Sequence, residues 1–127
     1  MYLLDTNFLV DCLLEKPIFI SKLRELREHA ACISVISSTE LLSGAKEYQI
    51  KACNDFLDSF IIIPITDNLA RKAGVTRGEL KRKGYKKSLA DILIGQTAIE
   101  NNLILVTGNS KDFPQLASRK LLMSYPS

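Results

Sequence analysis

Short apolar runs alternate along this chain with segments in which apolar side chains recur every three or four residues. The first pattern is typical of buried strands and the second of amphipathic helices. Strands are predicted at residues 2–5, 32–36, 60–65 and 103–106, and a last short strand at 121–123. Pro64 places the third strand at a sheet edge or close to its own end, because proline cannot donate to a strand ladder.

Helices are predicted between these runs, at residues 8–14, 20–27, 37–44, 50–58, 66–83 and 88–101. Their boundaries rest on recognisable residues. Pro17 ends the first helix, Ser37 caps the third and Gly84 stops the fifth. The alternating order of strands and helices predicts an α/β fold: a three-layer α/β/α sandwich with a central, mainly parallel sheet.

A chain of 127 residues suffices for one domain with its own hydrophobic core, so we expect a single domain spanning residues 1–127. The apolar runs are too short to cross a bilayer, and Asp5 interrupts the N-terminus where a signal peptide needs an apolar stretch. We therefore expect a cytoplasmic protein without a membrane partner. Three widely spaced cysteines without a CxxC pair argue against a disulfide framework or a zinc site.

Polar side chains stand at four points among these apolar segments. Asp5 and Asn109 follow two predicted strands, whereas Glu40 and Asp91 lie in the first turns of two predicted helices. In sheets of this class, ligands bind beyond the carboxyl ends of the strands. A carboxylate among core-forming residues is also costly unless it is paired, hydrogen-bonded or bound to a metal. The four positions are therefore expected to converge on one cleft.

Each of these side chains also has a structural interpretation. Glu40 and Asp91 each follow a serine by three residues, which is the spacing of a helix capping box. Asp5 followed by threonine and asparagine could itself cap a helix, and Asp112 could be a turn residue. From the residues alone, capping and ligand binding both remain open.

Charge is unevenly distributed along the chain. Residues 71–87 contain eight basic side chains and one acid, a balance of 8 − 1 = +7, so the remainder carries 9 − 13 = −4. Such a block predicts either a solvated helix surface or a face that binds a polyanion. Arg77, Lys81, Lys86 and Lys87 are the candidate contacts to the backbone of such a polyanion.

Taken together, the chain resembles PIN domains, in particular VapC-type toxins of prokaryotic toxin–antitoxin pairs. The motifs that carry the resemblance are LLDTN at 3–7, TEL at 39–41, LADILIGQTA at 89–98 and LVTGN at 105–109, followed by Asp112 and Phe113. The resemblance runs from end to end of the chain. It implies a metal-dependent ribonuclease that leaves a 5′-phosphate and a 3′-hydroxyl, and a homodimer neutralised by a VapB-like antitoxin.

The acidic quartet of the family maps onto Asp5, Glu40 and Asp91, with Asn109 or Asp112 in the fourth place. The family often has an acid where this chain has Asn109, which leaves the fourth ligand open. The supporting polar residues in the matching motifs are Thr6, Asn7 and Thr107.

The residue types at these positions agree with that chemistry. Oxygen ligands without histidine or cysteine suit Mg²⁺ or Mn²⁺ rather than zinc. Such a cation can activate a water molecule for attack on a phosphodiester, so no histidine base is needed. Two other functions remain possible: a catalytically silent module of the same fold that binds RNA or protein, and a Mg²⁺-dependent phosphoryl-handling protein.

Overall fold

The chain folds around one five-stranded sheet, in a computed structural model that describes residues 1–126. The strands are β1 (Tyr2–Leu4), β2 (Ala31–Ser34), β3 (Ile61–Ile63), β4 (Ile104–Thr107) and β5 (Leu122–Ser124). They pair in the order β3-β2-β1-β4-β5, and every pair is parallel. The predicted α/β/α architecture is confirmed, and the sheet is wholly parallel.

Six α-helices connect these strands within the described residues. They are α1 (Thr6–Leu13), α2 (Pro17–Arg27), α3 (Val35–Gly44), α4 (Ile50–Asp58), α5 (Asp67–Arg82) and α6 (Leu89–Glu100). Short 3₁₀ turns at Ser110–Asp112 and Pro114–Leu116 follow β4.

The central strand β1 supplies both hydrophobic cores, because successive side chains of a strand point to opposite faces. Leu4 packs with Phe8, Leu23 and Leu57 on the face covered by the first four helices. Leu3 belongs to the opposite core, which contains Ile94 and Phe113 among others. Both leucines are fully buried. The layers therefore meet at β1, the strand that ends directly before Asp5.

The boundary between β2 and α3 corrects the sequence analysis. Val35 and Ile36 are β-branched residues, which favour a strand, yet both lie in α3. The cap is Ser34, whose hydroxyl accepts a 3.1 Å hydrogen bond from the Ile36 amide. Ser37, predicted as the cap, lies inside the helix and is fully buried. The N-cap and the tertiary contacts outweigh local propensity here.

Other boundary predictions are confirmed. The strand before Pro64, β3, lies at a sheet edge. Thr66 caps α5 through a hydrogen bond to the Leu69 amide, and Gly84 follows that helix with φ +90°, a conformation that glycine adopts readily. The three cysteines are free and buried. In residues 1–126, no helix has the length and apolar character needed to cross a membrane.

Candidate active site

Asp5 lies at the carboxyl end of the central strand and is 4% exposed. It caps α1, because its Oδ1 accepts a 2.8 Å hydrogen bond from the Thr6 amide. Its Oδ2 accepts a 2.7 Å hydrogen bond from the Thr107 hydroxyl, at the end of β4. Asp5 therefore has both predicted roles. It caps a helix, and it presents a buried carboxylate at the carboxyl end of the sheet.

The surroundings of Asp5 favour its protonated form. Burial raises the pKa of Asp5 from 3.8 to about 6, although the hydrogen bonds from Thr107 and Thr6 lower it. The negative charges of Asp91 and Glu40 raise that pKa further. A cation placed among these three acids would offset the cost of keeping the buried Asp5 carboxylate ionised.

Glu40 is held by the first turn of α1 rather than by a capping box. Thr6 donates a 2.6 Å hydrogen bond to Glu40 Oε1, and the Ser37 hydroxyl lies 2.9 Å from the same Thr6 oxygen. Since the Thr6 proton is directed to the carboxylate, Ser37 acts as the donor to Thr6. The capping interpretation of Glu40 is wrong because α3 begins one turn earlier than predicted. Ser37 was missed as a supporting residue, since a serine before a glutamate resembles a cap in sequence.

Asp91 lies in the first turn of α6, where its amide donates a 3.1 Å hydrogen bond to the Ser88 side chain. Ser88 is the predicted cap of this helix. Burial raises the pKa of Asp91, interaction with the Ser88 side chain lowers it, and the charges of Asp112 and Glu40 raise it again. Lys87 lowers the same pKa. Asp91 therefore combines a place at the helix start with electrostatic contact to the other acids.

Asn109 and Asp112 occupy the remaining side of the cleft together. The side-chain amide nitrogen of Asn109 donates a 2.5 Å hydrogen bond to Asp112 Oδ2. The backbone amide of Asn109 donates a 3.0 Å hydrogen bond to Thr107 Oγ1. Lys87 Nζ lies 3.6 Å from Asp112 Oδ1. The asparagine that replaces the expected acid thus positions a nearby acid, and both candidates for the fourth place remain in the cleft.

The four basic residues singled out from the sequence lie around one concavity beside this cleft. A basic pocket of about 520 Å³ is lined by Arg77, Lys81, Lys86, Lys87 and Ser88. The Nε of Arg77 is buried and has no hydrogen-bond partner among residues 1–126. Because Ser88 caps the helix that carries Asp91, the basic pocket borders the acidic cleft directly.

The oxygen donors of the acidic cleft determine which kind of cation could be held there. No three histidine, cysteine, aspartate or glutamate side chains within residues 1–126 stand close enough together to form a preassembled metal cluster. Mg²⁺, however, takes one or two carboxylates directly and keeps several waters. Asp5, Glu40 and Asp91 interact through their charges and carry only oxygen donors. The residues therefore fit a hydrated hard cation rather than a dehydrated one.

The chain is similar to a known protein family over a stretch that contains all the residues of the acidic cleft. The family model described as PIN domain matches residues 2–118. Ribonuclease VapC2 of Rickettsia felis is 32% identical over 123 residues, covering 91% of this chain and 92% of the relative. The tRNA(fMet)-specific endonuclease VapC of Shigella flexneri is 28% identical over 120 residues, covering 91% of both chains.

Solved structures give the same result for the fold. A chain in the crystal structure of VapBC2 from Rickettsia felis, bound to a DNA fragment from the promoter, superposes with a TM-score of 0.83 at 30% identity, covering 98% of both chains. A chain in DNA-bound VapBC from Salmonella typhimurium gives a TM-score of 0.84 at 26% identity, covering 97% of this chain and 96% of that one.

Proposed function

Because the chain belongs to the PIN domain family, we propose that it is a ribonuclease of the VapC type, the toxin of a toxin–antitoxin pair. The relatives named as VapC ribonucleases or endonucleases match it over nine-tenths of its length. The observation that carries the proposal for this chain is the hydrogen-bonded placement of two acids at the carboxyl end of the sheet: Thr107 holds Asp5, and Thr6, the next residue, holds Glu40. The reaction is hydrolysis of RNA phosphodiester bonds.

Mg²⁺ or Mn²⁺ is the cofactor that this donor set suits. Asp5 and Asp91 would bind the cation directly, and Glu40 would bind through water or as a further ligand. Asn109, Asp112 and Thr107 would complete the surroundings. When bound, the cation supplies activation of water for attack on the phosphodiester and charge neutralisation at the leaving oxygen. Cleavage would leave a 5′-phosphate and a 3′-hydroxyl.

The protein residues around the cation act by position and charge. Thr107 and Thr6 fix Asp5 and Glu40 through short hydrogen bonds, so the carboxylates are oriented before substrate binds. The basic pocket would bind the RNA backbone beside the cleft. Arg77 lines this pocket, and its guanidinium would donate charge-assisted hydrogen bonds to a phosphate there.

A VapB-like antitoxin is the proposed protein partner. The similar chains come from structures described as VapBC complexes. In this chain, an apolar groove of about 320 Å³ lies between α1, α3 and α4, lined among others by Val10, Leu13, Leu14 and Leu41. Glu40 also lines it, so the groove leads to the acidic cleft. An amphipathic helix laid in the groove would bury its apolar face and approach the catalytic acids.

We also propose a homodimer, for which light scattering of purified toxin provides the measurement.

The test of the activity uses toxin freed of antitoxin and structured RNAs of known sequence. We expect cleavage in single-stranded regions with Mg²⁺ or Mn²⁺, abolished by EDTA and by Asp91→Asn. Titration calorimetry with Mn²⁺ alone should show binding that Asp5→Asn and Asp91→Asn abolish, while circular dichroism stays native. RNA binding without cleavage under any divalent cation would instead identify a catalytically silent module.

A further inference from the structure

A second concavity opens beside the acidic cleft and shares no lining residue with the basic pocket. It has a volume of about 340 Å³ and is called the aromatic pocket here. The residues that matter for its chemistry are Asn7, Phe8, Asp11, Phe19, Asn109 and Tyr125. Asn7 follows Asp5 by two residues, and Asn109 is bonded to the Thr107 hydroxyl that holds Asp5. The pocket therefore adjoins the proposed point of cleavage.

Three aromatic rings form one preorganised wall of this pocket. The ring of Tyr125 packs edge to face against Phe8 and Phe19, with centroid separations of 5.6 and 5.3 Å. The Tyr125 hydroxyl donates a 2.7 Å hydrogen bond to the Ile18 carbonyl, and its backbone amide donates to the Thr107 carbonyl over 2.8 Å. Phe8 and Phe19 are buried, whereas Tyr125 is half-buried. Lys22 Nζ lies over the Tyr125 ring, 5.6 Å from its centroid, and the part of this fixed ring that stays exposed offers a surface on which a nucleobase can stack.

Polar groups at the rim of the pocket could read the edge of such a base. Asp11 lies one helical turn after Asn7 on α1, so their side chains share a face. Lys16 Nζ lies 2.5 Å from Asp11 Oδ1 and orients the carboxylate. No hydrogen bond from residues 1–126 reaches the other Asp11 oxygen, which is therefore available as an acceptor.

The pocket also lies at the end of a continuous polar path across the site. Lys87, which lines the basic pocket, pairs with Asp112; Asp112 accepts from Asn109; and Asn109 lines the aromatic pocket. A strand whose phosphates lie in the basic pocket would pass the acidic cleft and could place its next base in the aromatic pocket. A single strand can do this because its bases are free to leave the stack.

We propose that the aromatic pocket holds one unpaired base of the RNA next to the cleaved phosphate, and that Asp11 selects guanine there. The proposal rests on the ribonuclease function above. Guanine is the base whose Watson–Crick edge offers two adjacent N–H donors. One can donate to the free Asp11 oxygen and the other to the second lone pair of Oδ1, which Lys16 leaves open. Asp11 and Tyr125 are thus specificity-determining residues, and neither belongs to the acidic quartet.

The test measures kcat/KM on short single-stranded RNAs that carry guanine, inosine, adenine or an abasic nucleotide at each position flanking the cleaved bond. At one position we expect guanine to exceed adenine roughly tenfold, since one or two hydrogen bonds are at stake. Inosine, which lacks the 2-amino group, should fall between them. Asp11→Asn should remove most of this preference, while the abasic substrate should be cleaved as by the wild type.

Two further variants separate stacking from loss of fold. Tyr125→Leu should lower kcat/KM for all three bases at that position and leave the abasic substrate nearly unaffected, whereas Tyr125→Phe keeps the ring and should keep the preference. Asp55→Asn is the matched control, because Asp55 pairs with Lys51 on the exposed side of α4 as Asp11 pairs with Lys16.

The proposed base pocket is refuted if the wild type shows no preference at any flanking position, or if Asp11→Asn keeps the guanine preference. The proposed ribonuclease function would stand in either case. If no RNA is cleaved with any divalent cation, the proposed function fails. The pocket is then judged by fluorescence anisotropy with the same RNAs. Guanine-dependent affinity that Asp11→Asn abolishes would support the pocket, and equal affinity for all bases would refute it.

Discussion

Thr107 donates a 2.7 Å hydrogen bond to Asp5 Oδ2 across 102 residues of sequence. The bond joins the carboxyl ends of two neighbouring parallel strands, β1 and β4, and it is buried. The same Thr107 oxygen accepts from the Asn109 amide, so one hydroxyl organises both sides of the cleft. A threonine that completes a strand thus determines how the central carboxylate faces the site.

Replacing Thr107 by Val should remove this donor while keeping the side-chain shape. Asp5 would retain a buried oxygen without a partner, so we expect a loss of about 1–3 kcal/mol in the free energy of unfolding at pH 7. Urea denaturation measures this loss. Thr107→Ser keeps the hydroxyl and should recover most of the stability. Equal stability of the Val and Ser variants would show that the hydrogen bond contributes nothing.

The raised pKa of Asp5 predicts how stability changes with pH in metal-free protein. Its folded-state pKa of about 6 exceeds the ordinary aspartate pKa of 3.8, so the folded state binds more protons between these values. Ionised Asp5 therefore destabilises the fold progressively as pH rises through this window, and its protonation removes the penalty as pH falls. Asp91, whose pKa is also raised, acts in the same direction.

Asp5→Asn should consequently stabilise the metal-free protein at pH 7.5, by an amount on the order of 1–3 kcal/mol, and should have little effect near pH 4. Thermal denaturation at both pH values, in EDTA, measures the difference. Adding Mn²⁺ should reverse the ranking at pH 7.5, because only the wild type gains stability from the bound cation. A variant less stable than the wild type at both pH values would contradict the assignment.

Much of this site could be predicted from the chain because strand ends and helix starts are local features. The stretch after each apolar run identified Asp5 and Asn109, and the serine before α6 located Asp91. The boundary before Glu40 failed because Val35 and Ile36 have strand propensity, and only the tertiary contact with Thr6 shows where that carboxylate is held.

Relationships between distant segments could not be predicted in this way. The aromatic pocket brings Asp11 of α1 beside Tyr125, which follows β5, and the sequence gives no sign that these residues meet. Their proximity depends on the strand order. Strand β5 lies next to β4, which in turn lies next to β1, the strand that leads into α1. The order of parallel strands is a property of the packed sheet, and helix and strand periodicity do not contain it.

The apolar groove provides a prediction about neutralisation by the antitoxin. Leu14 is 63% exposed and lines the groove, so Leu14→Glu should place a charge against the apolar face of a bound helix and weaken the complex at least tenfold. Val75→Glu is the matched control, because Val75 on α5 is equally exposed and does not line the groove. Calorimetry with purified antitoxin measures the affinity, and ribonuclease activity should survive in both variants. Equal weakening by the two substitutions would place the antitoxin elsewhere.

The two adjacent lysines before α6 should behave differently although their charge is the same. Lys86 is exposed and lines the basic pocket, whereas Lys87 also pairs with Asp112 beside the acidic cleft. Lys86→Ala should therefore weaken RNA binding and reduce the slope of log affinity against log salt concentration by about 0.7, the value for one phosphate contact on a single strand. Metal affinity should not change.

Lys87→Ala should reduce the same slope. In addition, it should remove the lysine ammonium that pairs with Asp112. The negative charge near Asp91 would then be less well compensated, so the apparent affinity for Mn²⁺ should rise while RNA affinity falls. Anisotropy at several salt concentrations and Mn²⁺ calorimetry measure the two effects separately. Lys111→Ala, which removes an exposed lysine adjacent to Asp112 but outside the basic pocket, serves as the control. If Lys86→Ala and Lys87→Ala changed both quantities equally, the Lys87–Asp112 pair would have no role in linking the basic pocket to the acidic cleft.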